Sequence, residues 1–132
     1  MQLQLEKSSY VDKDFVNWLL LKIPYFILAQ LKVKKFHNAR RLLKDADINI
    51  DPRRIIIAGC RCMHVVELKD VFLIDIRRRV LFRGTKRTVK DLCSMIEYGN
   101  MHIPGTYVFT SAFREVQQSL PKMYSEYISE LI

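Results

Sequence analysis

The spacing of apolar residues changes twice along this chain, and that change restricts the fold more than any other feature. Between Arg54 and Phe82 the apolar residues fall in short β-branched runs with a partial period of two. Before and after that stretch they recur every three or four residues, the spacing of a buried helical face. Helical, then strand-like, then helical segments in one chain predict an α+β fold. With 132 residues, 49% of them hydrophobic, the chain suffices for a single core and one domain over residues 1–132.

At the N-terminal side, Phe15, Trp18, Leu19 and Lys22 follow Ser9-x-x-Asp12 at helical spacing, so a helix is expected over Asp12 to Ile23. Pro24 has no backbone donor, and the helix should either kink there or give way to a second segment through Leu31. His37-Asn38 is expected to open a short basic helix through Lys44, closed by Asp45-Ala46-Asp47 and Asp51-Pro52.

Arg54 to Leu68 is predicted as a strand, Lys69-Asp70 as a turn, and Val71 to Ile76 and Val80-Leu81-Phe82 as two further strands. Together these form a central three-stranded antiparallel meander between N-terminal and C-terminal helices. Thr88-x-x-Asp91 caps a helix carrying Val89, Leu92, Cys93 and Ile96 on one face, and Gly99 sits where that helix should end. Beyond the turn at Pro104-Gly105, the spacing of Phe113, Val116, Leu120, Tyr124, Tyr127, Ile128 and Leu131 predicts C-terminal helix, kinked or restarted by Pro121.

An apolar-rich window from Phe15 to Val33 has the length of a membrane span but holds Asn17, Lys22, Pro24 and Gln30. A lysine at the centre of a spanning helix costs about 2.5–3.5 kcal/mol, so no transmembrane span is expected. Met1-Gln2-Leu3-Gln4-Leu5-Glu6 lacks the basic and apolar regions of a secretory leader. Three sparse cysteines also differ from the dense, even set of a small secreted domain. The expectation is the cytoplasm or another reducing compartment, including the inside of a virus particle.

The net charge of +8 is unevenly placed. Residues 1–31 sum to zero, residues 32–90 to +11 and residues 91–132 to −3. Within the basic middle the charges come in bursts, notably Arg40 and Arg41, then Arg77, Arg78 and Arg79, then Arg83, Lys86 and Arg87. Guanidinium groups bind phosphate bidentately and are weakly hydrated, so these eight side chains are the candidate contacts for nucleic-acid phosphates. The alternative expectation is a structural or assembly subunit of a virus particle or ribonucleoprotein. There the basic region meets an acidic protein surface, and Phe15, Trp18 and Tyr25 of the N-terminal apolar helix anchor a partner.

Patterns that would carry catalysis are weaker. On a strand, Cys60, Cys62 and His64 would share one face and, with Cys93, form a soft-metal ligand set. That face also carries Ala58, Val66 and Leu68, so a core stripe is the simpler reading and no metal or cofactor is assigned. Glu67-Leu68-Lys69, downstream of Asp51-Pro52, resembles the acidic-x-Lys end of a metal-dependent nuclease strand over three residues only. His37 and His102 stand apart from other ligands, and the aromatics Phe109, Phe113, Tyr124 and Tyr127 read as core by their helical spacing. With no Gly-rich phosphate loop, nucleophile elbow or His-Glu-x-x-His, a non-enzymatic protein is expected.

Overall fold

The computed structural model describes residues 1–132, in the order β1 (Leu3–Glu6), α1 (Lys13–Gln30), α2 (Val33–Asp45), α3 (Pro52–Arg61), β2 (Met63–Glu67), β3 (Val71–Ile76), α4 (Val89–Tyr98), α5 (Val108–Gln118) and α6 (Leu120–Leu131). Six helices flank a three-stranded antiparallel sheet of order β1-β3-β2, an α+β architecture. β2 and β3 form a hairpin around Lys69-Asp70, with Met63 opposite Ile76 and Val65 opposite Ile74. The third strand is not Val80–Phe82. It is β1, whose Leu3 and Leu5 pair with Ile74 and Phe72 and turn fully into the core. Leu81 makes only an isolated bridge to Thr88 and is 60% exposed.

Arg54 to Cys60 is helix rather than strand. Asp51 caps α3 by accepting from the Arg53 amide at 2.9 Å, and Pro52 takes the first turn, where its missing donor costs nothing. Three consecutive isoleucines favour a strand locally, but Ile55, Ile56 and Gly59 lie on one buried helical face. Gly59 is needed there: a Cβ at that position would come within 2.6 Å of Cys93 Sγ.

α1 is the central helix, packed against α5, α3 and α6. Asp12 caps it through the Phe15 amide, and Phe15, Val16, Leu19, Ile23 and Ile27 are its buried side. It runs through Pro24 as one helix, with buried Ile23 and Ile27 on either side of the proline. α2 starts at Val33, four residues before His37, and α1 and α2 meet at a bend of 94°. No single helix is long and apolar enough to cross a membrane. The expected Thr88 cap and Gly99 terminus of α4 are both present, and α6 restarts after Ser119 with Pro121 in its first turn.

α5 begins at Tyr107, which has a left-handed backbone (φ 52°) and provides no side-chain cap. The cap comes instead from Glu97 in the last turn of α4. This fully buried carboxylate accepts from the amides of Phe109 and Thr110, both at 3.0 Å, and from the Thr110 hydroxyl.

Candidate functional site

The basic bursts are far apart in the sequence, and α3 is what joins them. At its N-terminal end Arg53 lies over the Phe36 ring of α2 at 4.7 Å, and Arg40 lies over the same ring at 5.9 Å. Along its outer side Arg54, Ile57, Ala58 and Arg61 form a stripe at helical spacing. With Arg83, Val80 and Leu81 they border an open recess lined by apolar side chains together with three arginines. At the C-terminal end the Arg77 amide donates to the Cys62 carbonyl at 2.9 Å, which fixes the start of the Arg77-Arg78-Arg79 run beside α3. Those three arginines line a second recess with His64 and Asp75, and Val80 belongs to both recesses.

The segment carrying Arg83, Lys86 and Arg87 is a tied turn. Val89 donates to the Val80 carbonyl at 2.8 Å and Phe82 to the Arg87 carbonyl at 2.9 Å. Inside it the Thr85 hydroxyl donates to the Phe82 carbonyl and accepts from the Arg87 amide, and Gly84 takes a positive φ. Phe82 is buried beneath the turn while Arg83, Lys86 and Arg87 are exposed on it. Lys86 and Arg87 line neither recess, nor does Arg41, which is exposed on α2.

Of the 17 basic side chains from Lys32 to Lys90, only Arg53 and Lys90 reach a carboxylate. Lys90 neutralises the one acid in the second recess, meeting Asp75 at 3.0 and 3.1 Å. Burial pushes the Asp75 carboxyl up, but donors from Gln2, Lys90 and the Ile76 amide outweigh it and hold the group below the usual carboxylate range. His64 faces the same strand, its Nδ1 at 3.1 Å from the Asp75 carbonyl. Apart from Arg53, which meets Asp51 at 3.8 Å, the guanidinium groups of the tract have no internal counter-charge. α3 alone spans about 15 Å.

Two members of the tract, Arg54 and Arg61, are absent from the eight residues that sequence reasoning selected. Reading 54–68 as a strand scattered them over two faces; the i, i+3, i+4, i+7 spacing of Arg54, Ile57, Ala58 and Arg61 was the signal that could have found them.

The cysteines do not share a strand face. Cys60 lies in α3, Cys62 is its C-cap and His64 belongs to β2, and no three His, Cys, Asp or Glu side chains come close enough to hold a metal ion. Burial pushes the Cys60 thiol up to about 12 and raises Cys93 as well. Cys62 is also raised by burial, against the pull of the Arg77 guanidinium. Glu67 pairs with Lys7 at 2.9 Å and Asp51 caps α3, so the nuclease-like residues serve two separate structural contacts.

The three aromatic anchors part company. Phe15 is wholly buried and cannot meet a partner. Trp18 is half-buried, stacked on Phe15 and against Tyr127, with its indole N–H on Glu130. These rings, with Tyr10 and Tyr124, fasten α6 to α1. Tyr25 alone is open, at 72% exposure. Compared with protein-family models, curated proteins and solved structures, the chain matches none.

Proposed function

We propose that this chain is a non-enzymatic nucleic-acid-binding protein whose contact surface is the arginine tract along α3 and the exit of β3. One observation carries the reading: Arg54, Arg61, Arg77, Arg78, Arg79 and Arg83 gather around two adjoining recesses and none of them has a carboxylate partner. These guanidinium forks are left free for an outside anion, and phosphate is one that they bind bidentately. Contacts of this kind position a backbone without reading bases, so binding is sequence-tolerant and steeply dependent on salt. Three unpaired thiols suit a reducing setting, within a cell or a virus particle.

The test is fluorescence anisotropy with random single- and double-stranded oligonucleotides over a salt series. Replacing Arg77, Arg78 and Arg79 together by Ala should shrink the log–log salt slope by about 2–3, one counterion for each lost phosphate contact. Arg61→Ala should reduce it by about one more.

A second reading, an assembly subunit docking on an acidic protein, is favoured by the accessible apolar side chains of Ile57, Ala58, Val80 and Leu81 that line the recess together with Arg54, Arg61 and Arg83. Binding undetectable at low salt would transfer the tract to that role.

A further inference from the structure

The outer side of α1 changes character halfway along. Lys13 and Asn17 begin an exposed line at four-residue spacing, and Leu21, Tyr25 and Ala29 continue it as an apolar one. Leu21 is 70% exposed, and Val33, which opens α2 just past the bend, is 74% exposed. Lys32 and Lys34 flank Val33 and are exposed, and neither is ion-paired. Exposed apolar side chains thus stand on both helices that meet at the 94° bend, with exposed Lys32 and Lys34 on either side of Val33 in the sequence.

We propose that this corner docks on an anionic lipid surface, lying in the headgroup region without spanning the bilayer. Its chemistry selects that occupant. Nucleic acid can stack a base on Tyr25 but offers nothing apolar to bury Leu21 and Val33. A protein partner would need a groove shaped to Leu21, Tyr25 and Val33, whereas a lipid interface deforms to accept them. Tyrosine is amphipathic and suited to the headgroup level, and lysines keep their stems on apolar surface while the ammonium reaches anionic phosphates. Of the acids on the packed helices, Glu130 is paired with Lys22 and also holds Trp18, while Glu115 accepts from the neutral Gln30 side chain at 2.7 Å and keeps its charge. Length points the same way. No single helix is long and apolar enough to cross a membrane, so any lipid contact of this corner lies at the surface.

The experiment is flotation of the full chain with extruded phosphatidylcholine vesicles, with and without about 30% phosphatidylserine, at near-physiological salt. The wild-type protein should float with the anionic vesicles and not with the neutral ones. Leu21→Asp with Tyr25→Asp, and separately Lys32→Glu with Lys34→Glu, should each weaken that binding by about tenfold or more, as loss of buried apolar area or of two lysines at the surface requires. The Arg77, Arg78, Arg79 to Ala variant should float as wild type does, which separates this surface from the arginine tract. Tyr25→Cys carrying an environment-sensitive dye adds a readout that needs no destabilising change, its emission shifting to the blue on anionic vesicles alone. No flotation with anionic vesicles would overturn the proposal. So would flotation abolished by the arginine variant but untouched by the Leu21 and Tyr25 changes, or a salt-insensitive dimer that those two changes dissociate.

Discussion

Glu97 places a carboxylate in the centre of the molecule, where two amides and a hydroxyl answer it. In the last turn of its own helix α4 an acid faces the negative end of the dipole, so the position is unfavourable unless another helix starts there. α5 does, and it has no cap of its own. Glu97→Ala would leave the Phe109 and Thr110 amides buried without acceptors and open a void, with an expected loss of about 2–4 kcal/mol. Glu97→Gln keeps one acceptor but turns a donor toward donors, and about 1–3 kcal/mol is expected. Urea unfolding should show both as lower midpoints at unchanged slope. Equal stability of Glu97→Ala and wild type would mean that water caps α5 as well as the carboxylate does. Chain spacing does not reveal the pairing, because the two partners are twelve residues apart across a loop.

At the scale of elements, the signals that could be read were those in which local chemistry and tertiary packing agree. Thr88 before Asp91, Gly99 after α4, Pro121 at the head of α6 and the β-rich run Val71–Ile76 each appear where the residues placed them. α3 escaped because its isoleucine run carries strand propensity, and because Asp51-Pro52 serves as well to open a helix as to close the preceding one. β1 escaped because four residues with two leucines make too short a pattern, and only pairing with β3 makes them a strand. The two assignments of the third strand differ in a measurable way. Leu5→Ala removes a fully buried side chain from β1 and should cost about 2–4 kcal/mol. Leu81→Ala should stay within about 0.5 kcal/mol because the side chain faces solvent and Leu81 has only an isolated bridge to Thr88. The reverse order in thermal or chemical unfolding would restore Val80–Phe82 to the sheet.

Over the whole molecule, charge decides how stability responds to salt. The bursts of arginine were legible in the sequence, but their convergence was not, since it depends on α3 being a helix that carries Arg54 and Arg61 between Arg40 at one end and Arg77 at the other. Four ion pairs, all at least partly open to solvent, stabilise the fold, whereas most of the basic middle is unpaired and repels itself. Raising ionic strength from about 0.01 to 0.3 M shortens the screening length from about 30 Å to well under 10 Å, which relieves the long-range repulsion more than it weakens contact pairs. The ligand-free protein should therefore melt higher in salt. A saturating oligonucleotide reverses the trend: at about 100 times its Kd it adds about 2.7 kcal/mol at low salt. For a chain of this size that is about 8–13 °C in Tm. The gain disappears as salt competes for the phosphates. Two melting curves against salt, rising without oligonucleotide and falling with it, should thus converge. A ligand-free Tm that falls with salt would mean the four pairs outweigh the tract. An oligonucleotide that leaves the low-salt Tm unchanged would remove nucleic acid as the partner and leave the tract to an acidic protein surface.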